Sequence, residues 1–176
     1  MKTVLLSATF LVLLFVGCSR HTTALKVAEP VVYEELDMYV GSKLENLATS
    51  LASWNALKDR RGSTYQYTRK KSSSWGGITS ETTIKVQDDF VISRTYYVID
   101  DKNIISLSWR EEGFDELNDH SEGAPTKRID NLYEECKDIL IIESDVVLSF
   151  DSSGILSRCS YGKSGIMIEN LVFFYR

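Results

Sequence analysis

The hydrophobic pattern of this chain changes period twice, and that change constrains the fold more than composition does. Leu44, Leu47, Leu51, Trp54 and Leu57 recur at steps of three and four, the spacing of one helix face. Ser42 and Glu45 stand before them as a capping box, so the spacing predicts a helix from Ser42 to about Lys58, with a short leader helix beginning near Tyr33. Arg60-Arg61-Gly62 closes it, with cations at the negative end of the helix dipole and Gly at the exit. The period then falls to two. Tyr65 and Tyr67, Thr82 to Val86, Phe90 to Tyr97, and Ile105, Leu107 and Trp109 read as four strands joined by turns at Asp88-Asp89 and at residues 100–103. Helical spacing returns at Ile129, Leu132, Tyr133, Cys136, Ile139 and Leu140. Strands follow at Val146 to Phe150, Ile155 to Tyr161 and Ile166 to Phe174, the first two joined by a turn at Asp151 to Gly154. The expected fold is α+β: an antiparallel β-sheet meander with two amphipathic helices packed on one face, in a single domain over residues 33–176.

The first 18 residues carry a different signal. Lys2 precedes an apolar run from Val4 to Val16, which ends at Gly17-Cys18. That arrangement reads as a secretory signal peptide over residues 1–18, too short to span a bilayer. Residues 19–32 read as a linker. Two cuts remain open. Phe15-Val16-Gly17-Cys18 resembles the lipobox of bacterial lipoproteins, which would make Cys18 a lipidated first residue. Ordinary signal-peptidase cleavage after Cys18 would release a free protein. Either cut places the mature chain outside the cytoplasm, secreted or lipid-anchored. It also leaves two cysteines, Cys136 and Cys159, whose even number in an exported protein favours a disulfide.

The net charge of −5 makes nucleic acid a poor partner, and it argues against an anionic lipid surface. Membrane contact is expected only through a lipid anchor at Cys18. There is no N-glycosylation sequon and no repeat.

Chemistry-bearing motifs are sparse. No Gly-x-Ser-x-Gly elbow occurs. Gly162-Lys163-Ser164 ends like a P-loop, but Ser157 stands where the first Gly would have to be. No motif calls for a cofactor. His120 is the domain's one histidine, and its neighbours Asp119 and Glu122 make it a candidate cation ligand, set against a plain solvated acidic loop. Arg69-Lys70-Lys71 reads as a solvated strand end. Tyr65, Tyr67, Tyr96 and Trp109, with Tyr97 beside them, either line a ligand cup on one sheet face or fill the core. Trp75, between Ser72 and Gly77, either meets a partner or folds back over the sheet end.

The segment order resembles a family of uncharacterised secreted proteins and lipoproteins from bacteria and marine invertebrates. The matching pieces include Tyr65-Gln66-Tyr67-Thr68-Arg69, Ser73-Ser74-Trp75-Gly76-Gly77, and Glu81 to Val86. His120 to Pro125, Asp130 to Cys136 and Phe150 to Gly154 with Cys159 complete the set. Many members carry Asp-Asp-Cys after the last hairpin, where this chain has Tyr161 to Gly165. The resemblance implies an exported domain and no established activity. The expectation is therefore a non-enzymatic binding or structural domain with an extracellular protein or glycan as partner. The alternatives are a metal-assisted hydrolase using His120 and nearby carboxylates, and a secreted inhibitor of another protein.

Overall fold

The computed structural model describes residues 33–72, 78–100, 102 and 104–174. The expected signal peptide with Cys18, the expected linker and Trp75 lie outside the described residues. The chain divides after Val31, and the fold below is that of the second unit. Its elements are α1 (Tyr33–Arg61), β1 (Tyr65–Ser72), β2 (Thr79–Gln87), β3 (Phe90–Ile99), β4 (Ile105–Glu112), α2 (Ile129–Ile142), β5 (Val146–Phe150), β6 (Leu156–Tyr161) and β7 (Ser164–Phe173). All seven strands pair antiparallel in one open sheet ordered β4-β3-β2-β1-β7-β6-β5. The fold is the α+β arrangement that the alternating periods predict.

One boundary differs from its sequence signal. α1 runs unbroken from Tyr33, so Ser42 is not an N-cap; its hydroxyl donates instead to the Tyr39 carbonyl. A capping box is a local preference, and a helix already in progress removes the free N–H groups it would satisfy. At the other end the signal holds. Gly62 has φ +86° and donates to the Lys58 carbonyl, the left-handed exit that a glycine permits. Asp88 and Asp89 both have positive φ and join Gln87 to its partner Phe90, a two-residue hairpin of the primed type.

The two helices bury one apolar face of the sheet. Trp54 of α1 packs edge-on against Tyr65, with ring centres 5.0 Å apart, and its indole donates to Asp130 of α2. Tyr65, Tyr67, Ile84, Val86, Ile166 and Ile168 supply the strand side of this core. The buried hydroxyls are satisfied. Tyr133 meets Ser50 Oγ at 2.7 Å and accepts the Leu156 N–H at 2.9 Å, tying α1, α2 and β6 together. Burial pushes the Tyr65, Tyr67 and Tyr133 hydroxyls well above the ordinary tyrosine range.

A disulfide joins Cys136 on α2 to Cys159 on β6. It closes a 23-residue separation and pins the second helix to the half of the sheet that it covers. Replacing either cysteine by Ser is expected to cost about 2–5 kcal/mol. A chemical-denaturation curve of each variant checks this against wild type; an unchanged midpoint would rule out a structural bridge.

Candidate functional site

The sheet is not paired along its whole length. β1 and β7 are matched from Tyr65↔Phe173 to Arg69↔Ile168, and there the ladder stops, although both strands run on. Beyond that point Lys70 to Ser72 pair only with β2, and Ser164 to Met167 pair only with β6. The sheet therefore parts at one end. At that end lies a cleft of about 680 Å³, floored by Ser80, Thr82 and Tyr96 of β2 and β3 and walled by the end of β1, by the β6–β7 hairpin and by the loop Ser121 to Pro125. Gly165 sits at its edge with φ +127°, where an added Cβ would lie 2.4 Å from the Cys159 carbonyl oxygen. A side chain there would force the hairpin apart, so the wall depends on a glycine at this position.

The loop wall is held by a buried ion pair. Arg94 of β3 and Glu111 of β4 are both almost fully buried, and they meet bidentately: Nε donates at 2.8 Å and Nη2 at 2.7 Å. The guanidinium also donates to the His120 carbonyl at 2.7 Å and to the Ala124 carbonyl at 3.1 Å. Glu111 in turn accepts the N–H groups of Asn118 and His120. Burial alone would raise the Glu111 carboxyl, but the bonds from Arg94, His120 and Asn118 overcome it and hold it down at about 2. A further bond from the Ala124 N–H to Thr82 Oγ1, at 2.9 Å, seats the loop on the sheet. Gly123 lies against Tyr96 and Thr82, too close for a larger residue to fit without displacement.

Five basic side chains line the cleft: Arg69, Lys70, Lys71, Arg158 and Lys163, with Glu122 as the one acidic lining residue. Lys70 is engaged by Glu81 and Glu169 across the adjacent strands. Arg69 donates through Nη2 to the Gly165 carbonyl at 3.3 Å, bridging the parted strands, while its buried Nη1 has no acceptor. Arg158 donates through Nε to Ser160 Oγ. The arrangement offers hydrogen-bond donors and positive charge in a concave, polar setting, which is binding chemistry.

The aromatic residues predicted from sequence separate into two groups. Tyr65 and Tyr67 are fully buried beneath the helices and present no surface to a ligand, so they belong to the core. Tyr96 and Trp109 stack on each other at 5.1 Å, with His120 stacked on the outer face of Trp109 at 4.4 Å and Arg94 over the same ring. Tyr96 reaches the cleft, whereas Trp109 forms the packing behind the loop. Tyr97 points to the opposite sheet face, as strand alternation requires. The acidic stretch does not gather around His120. Its Nδ1 lies 3.1 Å from Glu111, a carboxylate already taken by Arg94, while Asp119 and Glu122 are exposed. Among the described residues no three His, Cys, Asp or Glu side chains converge as a metal-ligand set. Arg158 and Lys163 were not singled out from sequence as site residues, because only the hairpin fold-back brings them opposite Arg69. No protein-family model, curated protein or solved structure matches the chain.

Glu111 is the group to perturb. Its folded carboxyl titrates near 2 against an ordinary 4.5, so its stabilisation is complete above about pH 4.5 and is lost as the pH falls towards 2. Asp130, lowered by Lys58 against the effect of its own burial, adds in the same direction. Glu111→Gln leaves Arg94 buried without its counter-charge and is expected to cost about 3–5 kcal/mol at neutral pH. It should also flatten the acid limb of the stability profile, measured as the urea midpoint from pH 7 downward. An unchanged acid limb in the variant would assign that limb to other carboxylates.

Proposed function

We propose that the chain is an exported, non-enzymatic binding domain that takes an extracellular glycan or protein segment in the cleft where β1 and β7 part. The cleft itself carries this reading. It is concave and polar, its floor and loop wall are fixed by buried hydrogen bonds, and it holds a buried donor that nothing in the described chain answers. The sole histidine of the domain supports the non-enzymatic half: it is stacked on Trp109 and hydrogen-bonded to a carboxylate already engaged by arginine. Residues 1–18 support export as a secretory leader, with Cys18 either lipidated or cut away. A structural disulfide suits an oxidising compartment. The resemblance of the segment order to uncharacterised exported proteins points the same way.

Two measurements test it. The intact mass of the protein from its native host is expected to correspond to a chain beginning at Cys18 with acyl groups, or at Ser19 without them, and to rise by two hydrogens on reduction. A mass that retains the leader overturns export. Amide NMR shifts of the processed protein, screened against small saccharides and peptides, are expected to move at Ser121 to Ala124 and Gly162 to Met167. Shifts confined to the outer faces of α1 and α2 would overturn the cleft as the binding surface.

A further inference from the structure

We propose that this cleft is an oxyanion site, which takes a small ligand through a carboxylate or sulfate group. The inference rests on the binding reading above and adds the ligand's chemical class. Charge is the first observation. The chain carries a net charge of −5, yet four cations of the cleft, Arg69, Lys71, Arg158 and Lys163, face it with no ion pair among the described residues, and Glu122 is their only acidic companion there. Like charges gathered in a concavity repel one another, and the concavity focuses their field. An anion placed between them relieves that repulsion. Ion pairing does not account for the gathering, because none of the four ties one element to another through a carboxylate; Arg69 and Arg158 bond only to a carbonyl and a hydroxyl.

Arg69 is the second observation and the geometric anchor. Its Nη2 is fixed on the Gly165 carbonyl, and this orients the guanidinium across the gap. Its Nη1 is buried with no acceptor. A buried donor left unmade is costly, and a guanidinium answers a carboxylate or sulfate with two N–H groups in a fork. Nη1 is closed off from solvent as the side chain stands, and a small turn of the guanidinium, held only through Nη2, would bring it to an oxyanion entering beside β1 and the β6–β7 hairpin. The parted strands add main-chain groups on both sides, from Lys70 to Ser72 and from Ser164 to Met167, which no neighbouring strand of the sheet occupies across the gap. The cleft, at about 680 Å³, falls among ordinary small-molecule sites of roughly 300–1,000 Å³. It holds more than a bare ion, which is why the anion is assigned as one group of a larger ligand.

The processed protein is titrated with sodium sulfate, trigalacturonate and the neutral maltotriose, at matched ionic strength, and binding is followed by calorimetry and by the amide shifts of the cleft. Trigalacturonate is expected to bind more tightly than sulfate, and maltotriose to bind weakly or not at all. Arg69→Gln should weaken trigalacturonate by roughly tenfold or more, as loss of a charge-assisted bond requires. Should that variant fail to fold, the double variant Arg158→Gln, Lys163→Gln decides the matter: both side chains are exposed, and the pair is expected to weaken binding several-fold and to lower its salt dependence. Sulfate binding as tight as trigalacturonate, with the same sensitivity to these variants, supports the site and assigns it to the free ion. A response that neither variant changes means an adventitious ion only and overturns the proposal. Maltotriose binding as well as trigalacturonate in the same cleft would overturn the oxyanion assignment and leave the cleft a binding site. Shifts of cleft amides with none of the three would overturn it as well, while the mass measurement separately decides export.

Discussion

The buried pair of Arg94 and Glu111 is the contact on which the cleft end of the molecule depends. Both side chains belong to the inward set of their strands, in register across β3 and β4. Taking two charges out of water is expensive, and such a pair is tolerated only when the remaining donors and acceptors are also met. Here they are. The guanidinium reaches two backbone carbonyls of the following loop, and the carboxylate collects two of that loop's N–H groups. The pair therefore does more than hold two strands. It converts an irregular, acidic segment with no pairing of its own into a fixed wall. Apolar replacements of similar volume would pack as well, but they would leave the loop without its anchors.

The fold was readable from sequence because its elements follow local rules. The 3.6-residue stripe around Cys136 and Tyr133, the two-residue turn at Asp88-Asp89 and the glycine exit at Gly62 each depend on neighbours close in the chain. The Cys136–Cys159 bridge was legible on other grounds, an even number of cysteines in a chain with the look of an exported protein. The site was far less readable. Arg94 shares a strand face with Tyr96, but its partner lies on another strand and the groups it anchors lie in a loop. Arg69 and Lys71 looked like a solvated strand end because the opposing hairpin is about a hundred residues away. Of the aromatic residues, Tyr96 lines the cleft, while Tyr65 and Tyr67 are claimed by Trp54 and the helices. Alternation reports which face a residue takes and cannot say whether a helix covers it.

An acidic protein with a locally basic cleft divides its electrostatic work. The distributed negative charge keeps the surface solvated. The local positive field acts only over about a Debye length, roughly 8 Å at physiological ionic strength. Selectivity of that kind depends on shape as well as charge, and the glycine at position 165 and the fixed loop give the cleft its shape. Lys70, neutralised by carboxylates on two neighbouring strands, belongs to the frame around the cleft.

The partial ladder between β1 and β7 also bears on how the chain reaches its native state. Every other strand pairing joins segments adjacent in sequence, through hairpins or a short connection. β1 and β7 are the exception, separated by about a hundred residues, and closing so long a loop carries the largest entropic cost in the sheet. The four-stranded meander from β1 to β4 and the three-stranded one from β5 to β7 can each form from local contacts. Their union is the pairing with the greatest loop-closure cost, and it is made through a seam that is short. A short seam limits the registry that this long-range closure requires along two full strands. The gap that would take a ligand is thus also the length of sheet that folding never had to close.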